Sequence, residues 1–517
     1  MFNPQEHSQP IAFLTFLFIA SLLLSAIASA APSITLSRET GPPTSRILVS
    51  GRGFAPNVGV DIFFNTKDEA LVVTNGQGEF NKAKIHAPRS ARPGEHWVTA
   101  IERNDGKGAQ QPFLVFTDWP QTGFDLSKSG LNPYENVLDK NTVRDLKVDW
   151  SYSVKSSYGF SSVAVVRGVA YATFTGAASY GLNAFNVKTG ALLWTYSGAA
   201  SSPAVEDGIV YVNDSRNLDA LDARTGKLLW AYGISDTGTT GAAPTVADGR
   251  VFIGAGSGDF YALNATTGAL LWKDNLQAGG QVFAGPAVAN GVVYICPGYQ
   301  AENSSVCYAL DESSGTPLWT YVVDGFVSGS PVVLNGLVFF DALYTGTYAL
   351  DATTGALVWN YMEDPFEASP AVASGVVYTA GTSSIGMRAL DAYSGALLWS
   401  FPTDNGLRCQ PAVANGVVYL TSAGGTFYAL DAGTGTLLAS RSLGADGSSC
   451  PTVTNGEVYA SGFTGSSAVA QIFAFRPQHA LRLNYSSQWQ DAIPKRPDLK
   501  TLRPDFNLTV SKPGQLR

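Results

Sequence analysis

The chain of 517 residues is poor in charge and in histidine. Charged side chains make up only 14% of it, and 33 Lys and Arg stand against 41 Asp and Glu. Because a phosphate backbone is bound by clustered cations, this balance argues against a nucleic-acid partner. The four histidines are His7, His86, His96 and His479, and none lies in the repeats described below, so a haem or zinc cluster is not expected.

Long apolar runs are also absent, except at the N-terminus. Residues 11–27 are apolar apart from small polar residues, and they precede Ala28-Ser29-Ala30, a signal-peptide cleavage pattern. We expect a signal peptide over residues 1–30, cleaved after Ala30, and a secreted or periplasmic protein without a transmembrane segment after cleavage. The first ten residues contain no Lys or Arg, so an uncleaved anchor stays open as an alternative. No Cys stands at the cleavage site, which argues against lipid attachment there.

The four cysteines include no adjacent pair. In an exported chain they are compatible with disulfides. Cys296 and Cys307 flank the turn between two adjacent strands of one repeat, which predicts a bond across that hairpin. Cys409 and Cys450 lie in neighbouring repeats but are one residue out of register relative to the following proline. Strand alternation is therefore expected to turn them to different faces.

In contrast to these scarce residues, one sequence unit recurs eight times between Trp150 and Pro477. Each copy, of roughly 40 residues, combines small-Pro-apolar, Asn-Gly or Asp-Gly, Val-Tyr, Tyr-Ala-Leu-Asp, Thr-Gly and Leu-Leu-Trp. The clearest copy begins at Gln410 and reaches its Thr-Gly pair at Gly435. Self-similarity at this period predicts a repeat architecture.

Each repeat predicts four short antiparallel strands. Asp207-Gly208 and its equivalents supply the positive φ angles of a two-residue type I′ hairpin between the first and second strands. An Asp-x-x-Thr-Gly turn, as in residues 222–226, leads into a fourth strand that ends in Trp in six repeats. We expect these Trp rings to pack between blades. Four such strands are typical of a β-propeller blade, with a solenoid as the weaker alternative.

The number of blades follows from the two ends of the repeat region. The eighth copy ends near Phe475 without a fourth strand, whereas a lone strand of that type, residues 146–152, precedes the first copy. Joining the two would complete the eighth blade and close the ring, which removes exposed edge strands. The predicted fold is therefore all-β: an eight-bladed β-propeller with four-stranded blades and a velcro closure over residues 146–478.

Two further segments flank the propeller. Residues 32–116 contain short alternating strands separated by Gly, Pro and Asn turns. They predict a small immunoglobulin-like β-sandwich and resemble the bacterial immunoglobulin-like modules of surface proteins. Residues 479–517 form a polar C-terminal tail with little repeat character.

The repeat resembles that of the PQQ-like, or quinoprotein-like, propeller family, over residues 118–478. Residues 118–145 look like the strap that precedes the first blade in this family. The resemblance implies either a non-catalytic scaffold, like the outer-membrane barrel assembly lipoprotein, or a dehydrogenase. Such dehydrogenases hold PQQ and calcium in the axial funnel, above a disulfide between adjacent cysteines.

This chain departs from the dehydrogenase pattern. It has no adjacent cysteine pair, and no set of Glu, Asn and Asp in the repeats aligns with the calcium ligands. We therefore predict a protein that is not an enzyme and that has no catalytic residue, cofactor or metal. A PQQ-dependent dehydrogenase that uses the axial funnel is kept as the alternative.

Positions that vary within the repeat are the candidates for binding. The residue before the inner-strand proline is mostly small and is expected to pack around the axis; these residues are Ser162, Ser202, Ala243, Gly285, Ser330, Ser369, Gln410 and Cys450. Asn183, Asp219 and Arg388 replace the Tyr of Tyr-Ala-Leu. Each of these three is expected to mark a blade surface that contacts something other than the next blade.

Charged loops provide a candidate partner-binding rim. The loops that enter the inner strands carry its residues, namely Asp236, Asp324, Glu363, Asp364, Glu367, Asp404, Arg408 and Asp446. Strand direction adds Asp214, Glu302 and Asp341 from the loops between the second and third strands. Such a rim could recruit a cationic partner or bind Ca²⁺ weakly, or its carboxylates could simply be solvated. We predict a monomer that engages a protein or an extracellular polymer through this rim.

Overall fold

A computed structural model describes residues 31–478, apart from residues 156–159, 177–178, 235–241, 277–280, 300–303, 363–367, 382–385, 448 and 465–468. The chain divides into two compact units. Unit 1 comprises its described residues up to Ser37, with Leu48–Ile85 and Val98–Gln111. Unit 2 comprises Arg38–Ile47, His86–Trp97 and the residues from Pro112 onwards.

The predicted signal peptide, residues 1–30, and the predicted tail, residues 479–517, lie outside the described residues. Within the described ranges, no helix combines the length and the apolar character needed to cross a bilayer. Regular structure there consists of strands and one short 3-10 helix.

Eight strands lie between residues 33 and 115. They are β1 (Ser33–Leu36), β2 (Thr40–Gly41), β3 (Arg46–Arg52), β4 (Gly59–Phe64), β5 (Lys67–Val73), β6 (Phe80–His86), β7 (Gly94–Glu102) and β8 (Gly108–Val115). The two sheets have the strand orders β1-β3-β6 and β2-β8-β7-β4-β5. Burial alternates along β4, where Val60, Ile62 and Phe64 are buried, as in a strand with one face in a core. The immunoglobulin-like assignment stays a prediction.

Eight further sheets lie in the described part of unit 2, and we number them blades 1 to 8. Blade 1 consists of β11 (Ala164–Val166), β12 (Val169–Gly176), β13 (Ser179–Asn186) and β14 (Leu192–Ser197). Blade 2 consists of β15 (Ala204–Glu206), β16 (Ile209–Asn213), β17 (Asn217–Asp222) and β18 (Leu228–Gly233). Blade 3 consists of β19 (Thr245–Ala247), β20 (Arg250–Gly254), β21 (Asp259–Asn264) and β22 (Leu270–Asn275). Blade 4 consists of β23 (Ala287–Ala289), β24 (Val292–Ile295), β25 (Gly298–Tyr299), β26 (Ser304–Asp311) and β27 (Pro317–Val323).

The remaining blades continue the same order. Blade 5 consists of β28 (Val332–Leu334), β29 (Leu337–Ala342), β30 (Gly346–Asp351) and β31 (Leu357–Tyr361). Blade 6 consists of β32 (Ala371–Ala373), β33 (Val376–Ala380), β34 (Met387–Asp391) and β35 (Leu397–Phe401). Blade 7 consists of β36 (Ala412–Ala414), β37 (Val417–Thr421), β38 (Thr426–Asp431) and β39 (Leu437–Ser442), and β9 (Leu131–Asn132) pairs with β36 in parallel. Blade 8 consists of β40 (Thr452–Thr454), β41 (Glu457–Thr464), β42 (Val469–Pro477) and β10 (Leu146–Lys155), which follows a 3-10 helix (Thr142–Asp145).

Blade 8 joins the two ends of the repeat region. Strand β10 pairs with β42 in antiparallel fashion, from Leu146 opposite Pro477 to Lys155 opposite Val469. This is the pairing that the lone strand before the first repeat predicts. The predicted all-β architecture is confirmed: six of these eight sheets are four-stranded, and the other two have a fifth short strand, β25 in blade 4 and β9 in blade 7. The number of sheets equals the predicted number of blades.

The two-residue hairpin turns have the backbone that the sequence predicts. In blade 2, φ is 47° at Asp207 and 77° at Gly208, and the equivalent pairs of the other seven blades also have positive φ at both residues. Type I′ turns require this conformation, which Asn-Gly and Asp-Gly adopt at low cost. The dipeptides therefore set the register of the first two strands of each blade.

Neighbouring blades are joined at their Asp-x-x-Thr-Gly turns. The carbonyl of Ala223 in blade 2 accepts hydrogen bonds from the indole of Trp194 and the hydroxyl of Tyr171 in blade 1, both at 3.1 Å. The carbonyls of Ala265, Ala352 and Ala432 accept the same pair of bonds from the preceding blade. The Trp side chains thus pack between blades, but nothing in the repeat indicates that the Tyr of Val-Tyr shares their acceptor.

The expectation for the three Tyr replacements is wrong for two of them. The hydroxyl of Tyr196 in blade 1 donates to Asp219 in blade 2 at 2.8 Å. Arg388 in blade 6 is buried, and its guanidinium lies 5.7 Å from the ring centroid of Tyr361 in blade 5. Both side chains therefore contact the adjacent blade, because a polar group at this position faces the same neighbouring sheet as the Tyr that it replaces. Asn183 is buried as well.

Candidate functional site

The strap (residues 118–145) hydrogen bonds to the innermost strand of every blade. From blade 1 to blade 8 the bonded pairs are Trp119 with Val165 (2.8 Å), Pro120 with Val205 (2.8 Å), Gln121 with Val246 (3.4 Å), Leu126 with Val288 (2.7 Å), Ser127 with Val333 (2.9 Å), Ser129 with Val372 (2.8 Å), Gly130 with Val413 (2.7 Å) and Asn132 with Val453 (2.8 Å). Because residues 119–132 reach the inner strands in blade order, this part of the strap lies against the axis of the propeller.

The centre of the strap is buried and bonded to the blades. Lys128 has no exposed surface, and its Nζ donates to the carbonyl of Thr122 at 3.0 Å. Burial lowers the pKa of Lys128 to about 7, although the charge of Asp125 opposes the shift. The Gln410 amide donates to the carbonyls of Lys128 and Pro370, both at 2.7 Å. These bonds fix the strap to blades 6 and 7.

The small residues before the inner-strand prolines pack closely between successive blades. The N–H of Ser330 donates to the hydroxyl of Ser369 at 2.7 Å. A Cβ added to Gly285 would lie 2.6 Å from the carbonyl oxygen of Ala243, closer than two such atoms can approach. A larger side chain therefore has no room at Gly285.

The described axial residues do not fit a calcium-bound quinone cofactor. Calcium takes six or more oxygen ligands, mainly from carboxylates and amides. The Gln410 amide is bonded to the strap, and the other axial positions are mostly Ser, Ala and Gly. Among the residues that the structure describes, no three His, Cys, Asp or Glu side chains are grouped closely enough to hold a metal ion. No catalytic step through such a cofactor follows from these residues.

The structure describes four of the eight predicted rim residues: Asp324, Asp404, Arg408 and Asp446. The other four fall outside the described ranges; they are Asp236, Glu363, Asp364 and Glu367. Asp324, Asp404 and Arg408 are exposed. Burial raises the pKa of Asp446, and the positive charge of Arg408 partly offsets this rise, so the two side chains interact electrostatically. The described rim is therefore charged in both signs.

Asp404 is the best-defined carboxylate of the rim. Its Oδ2 accepts the hydroxyl of Thr426 at 2.6 Å, and its N–H donates to the hydroxyl of Tyr428 at 3.3 Å. Partial burial acts to raise the pKa of Asp404, but hydrogen bonds from Ser422, Thr426 and Tyr428 outweigh it, so that the pKa lies below its usual value. The carboxylate is therefore ionised and oriented at neutral pH.

One residue assigned to the rim lies elsewhere. Asp341 is buried inside β29, where its two carboxylate oxygens accept hydrogen bonds from Thr347 (2.7 Å) and Thr379 (2.8 Å). Burial raises its pKa to about 7. The prediction is wrong because the second strand of blade 5 continues to Ala342, so Asp341 belongs to the strand and not to the loop that follows.

The cysteines form one disulfide and one thiol pair. Cys296 and Cys307 are joined by a disulfide, across the hairpin that the sequence indicates. Cys409 and Cys450 do not turn apart as predicted, since their side chains hydrogen bond to each other. That bond, together with burial, raises the pKa of Cys409, and it lowers the pKa of Cys450. The prediction failed because both residues precede their strands, where side-chain alternation does not apply.

Two pockets flank the strap, and Tyr134 lines both. Pocket A, about 660 Å³, lies between the strap and blades 6 and 7, and is lined by Asn136, Ser374 and Asn415 among others. Pocket B, about 440 Å³, lies between the strap and blades 1 to 3 and is mainly apolar. Both volumes fall within the range of small-molecule sites in proteins.

Asp118 in pocket B is a residue that sequence reasoning missed. Its Oδ2 accepts the backbone N–H of Arg167 at 3.1 Å, and the Asn455 side chain also bonds to the carboxyl group. Its Oδ1 is buried and has no hydrogen-bond partner. Burial raises the pKa of Asp118 to about 7. The sequence could not reveal this, because the groups around Asp118 come from blades 1 and 8.

Comparison with known proteins identifies the family. A sequence profile described as outer membrane protein assembly factor BamB matches residues 144–260, 220–301, 259–400 and 383–475, which is more than half of the chain. The chain belongs to the BamB family of PQQ-like repeat proteins. The predicted family is thereby confirmed. A comparison of this BamB-family chain with curated proteins gave no match.

Solved structures similar to this BamB-family chain include both dehydrogenases and BamB itself. The quinohemoprotein alcohol dehydrogenase from Comamonas testosteroni is 18% identical, with a TM-score of 0.59 over 72% of this chain and 82% of its own. A europium-containing methanol dehydrogenase is 14% identical, with a TM-score of 0.58 over 70% of this chain and 98% of its own. BamB from Moraxella catarrhalis is 21% identical, with a TM-score of 0.49 over 65% of this chain and 99% of its own. The two dehydrogenases show the propeller fold alone, at identities too low to transfer an activity.

Proposed function

We propose that this BamB-family chain is an exported, non-catalytic scaffold that engages a protein partner through its rim. Membership of a family described as an outer membrane assembly factor supports the proposal. The observation that carries it is the strap, which bonds to all eight inner strands and lies against the axis. Because the chain's own residues occupy the position against the axis, we expect a partner to bind at surfaces whose sequence differs between blades. The charged loops of the rim are such surfaces.

The rim is suited to a partner with basic side chains. Asp324 and Asp404 are exposed, and Asp404 is held by Thr426 with its pKa below the usual value. An ionised carboxylate that is already oriented attracts a cation and loses little conformational entropy on binding. Asp236, Glu363, Asp364 and Glu367 are included in this proposal on their sequence positions alone.

Charge reversal tests the rim. The double variant Asp324→Lys, Asp404→Lys is compared with the unchanged chain in the capture of proteins from an envelope extract. We expect roughly tenfold less of the captured partner at low salt and a smaller difference at 0.5 M salt, where charges are screened over a few ångströms. Capture that is equal for both proteins at low salt would contradict the proposal.

Asp248→Lys, a single charge reversal, is the control for this experiment. Asp248 is an exposed carboxylate in the hairpin turn of blade 3, so its reversal changes the net charge in the same direction. The equivalent turn position in blade 1 is Arg167, with a φ of 49° against 46° at Asp248. A cation is therefore compatible with this turn, and the control should capture as much partner as the unchanged chain.

The dehydrogenase alternative is tested separately. The purified chain is titrated with PQQ in the presence of Ca²⁺, while quinone absorbance and dye-linked oxidation of alcohols and sugars are followed. We expect neither stoichiometric uptake nor turnover, because the described axial residues are small and closely packed. Stoichiometric uptake with turnover would overturn the scaffold proposal.

A further inference from the structure

We propose that Cys409 and Cys450 form a redox-active thiol pair, which a small disulfide compound oxidises to a second disulfide between blades 7 and 8. Neither residue is in a disulfide in the structure, and both are partly exposed. Three features point to this site: the contact between the two side chains, the donors around Cys450 and the residues that other blades have at the same positions. A modification of these thiols goes beyond the proposed function.

The two cysteines meet because they occupy successive positions of the repeat in neighbouring blades. Cys409 is the second residue before the inner-strand proline of blade 7, and Cys450 is the residue directly before that of blade 8. At the Cys409 position the other seven blades have Ser, Ala or Gly, and at the Cys450 position they have Ser, Ala, Gly or Gln. Neither position therefore needs a thiol for the fold, and cysteine occurs there only where blades 7 and 8 meet.

The sulfur of Cys450 is surrounded by hydrogen-bond donors. It accepts bonds from three groups: the Cys409 thiol, the Ser162 hydroxyl of blade 1 and the backbone N–H of Gln410 in blade 7. The last bond repeats a contact between blades 5 and 6, where the N–H of Ser330 donates to the Ser369 hydroxyl at 2.7 Å. The sulfur thus takes the place of a hydroxyl acceptor, and the donors around it stabilise a thiolate.

The two thiols differ in acidity, and this difference assigns their roles. The hydrogen bond from Cys409 lowers the pKa of Cys450 against the opposing effect of burial, whereas the same bond and burial raise the pKa of Cys409. Because the thiolate is the reactive form, Cys450 is the nucleophile and Cys409 is the resolving thiol. Cys296 and Cys307, in contrast, are already joined and are only 5% and 1% exposed.

Oxidation proceeds by two thiol–disulfide exchanges. The Cys450 thiolate attacks one sulfur of a disulfide R–S–S–R, which forms a mixed disulfide and releases a thiolate that takes up the proton lost by Cys450. Cys409 then loses its proton and attacks the Cys450 sulfur, which closes the new disulfide and releases the second R–SH. Two electrons pass from the cysteines to the oxidant, with no net release of protons. Compartments outside the cytoplasm supply such oxidants, so their presence around this chain in the cell rests on its proposed export.

The test uses the full chain, reduced with dithiothreitol, desalted and then incubated at pH 7 with millimolar oxidised glutathione. Remaining thiols are alkylated, and disulfides are mapped by mass spectrometry of proteolytic peptides. We expect a peptide pair linked through Cys409 and Cys450, which dithiothreitol separates again, and the loss of both thiols from the unchanged chain.

Two variants test the assigned roles. In Cys409→Ala the glutathionyl group should stay on Cys450, because no second thiol displaces it. Cys450→Ser should take up glutathione roughly threefold more slowly than Cys409→Ala, because the remaining thiol is the less acidic one. Ala and Ser occur at these positions in other blades, so both variants should fold.

Three mapping results would overturn the proposal: both thiols unchanged in the folded chain, glutathione retained on the unchanged chain without a link between the two cysteines, or links from either residue to Cys296 or Cys307. Equal rates for the two variants would overturn the assignment of Cys450 as the nucleophile. If a variant does not fold, the mapping of the unchanged chain still decides the question. Because the test measures thiols and not partner capture, this proposal and the rim proposal can fail independently.

Discussion

Replacing the buried strap lysine gives the sharpest prediction about stability. Lys128 has no exposed surface, and burial lowers its pKa from 10.5 to about 7. In the unfolded chain the ammonium keeps its ordinary pKa, so between pH 7 and 10.5 the unfolded state binds more protons than the folded state. Stability therefore rises with pH across this window. At pH 7 and below, the buried lysine costs the folded state about 5 kcal/mol, at 1.36 kcal/mol per pKa unit.

Lys128→Met removes the ionisable group and keeps a side chain of similar length. The variant loses one hydrogen bond, from Nζ to the Thr122 carbonyl, which costs about 1 kcal/mol. We expect the variant to be more stable than the unchanged chain by about 4 kcal/mol at pH 6.5, and by about 1 kcal/mol at pH 9. The assay is urea denaturation followed by tryptophan fluorescence at both pH values. A variant that is less stable at pH 6.5, or a difference that does not change with pH, would refute the buried placement of Lys128.

Three further predictions concern a contact between blades, the anchoring of the strap and the disulfide. Gly355→Ala should destabilise the chain by about 2–4 kcal/mol in urea denaturation, because φ is 72° and an added Cβ would lie 2.7 Å from the Trp319 ring. The control is Gly336→Ala, which has a similar φ of 79° but open space around it and should cost only about 1 kcal/mol. Equal losses of stability in the two variants would refute the contact with Trp319. Gln410→Leu should cost about 2–5 kcal/mol in the same assay, because it leaves two buried carbonyls unpaired, and a neutral result would refute the anchoring of the strap. Cys296→Ser should lower stability by about 2–3 kcal/mol without reductant, because the disulfide closes a loop between residues 11 apart in the sequence. In the presence of reductant the loss should be much smaller. An equal loss in both conditions would refute the disulfide.

The sequence predicts the blade construction well because that chemistry is local. The conformations of the hairpin at Asn335-Gly336 and of the turn at residues 351–355 depend only on residues that are adjacent in the sequence. Both turns are present in the structure. Predictions fail where contacts come from distant parts of the chain or where a strand boundary is uncertain. The prediction of a loop at Asp341 fails because the end of its strand has no sequence marker. The prediction that Cys409 and Cys450 turn apart fails because both residues precede their strands.

The candidate sites were less predictable than the blades, for the same reason. A resemblance to the family suggested the strap, but its contacts with eight inner strands depend on residues from 119 to 453. The unpaired oxygen of Asp118 appears only when Arg167 and Asn455 are brought beside it. The rim stays a prediction from the charged loops of the sequence, of which the structure describes Asp324, Asp404, Arg408 and Asp446.

The central claim, that the rim engages a protein partner, is tested most directly by site-specific photocrosslinking in producing cells. A photoreactive amino acid is placed at Asp324, at Asp404 and, as the control, at Asp248, which is exposed in a hairpin turn. The account predicts that both rim positions crosslink to the same protein and that position 248 does not. Crosslinks from position 248 alone, or none from either rim position while the folded protein is present, would contradict it.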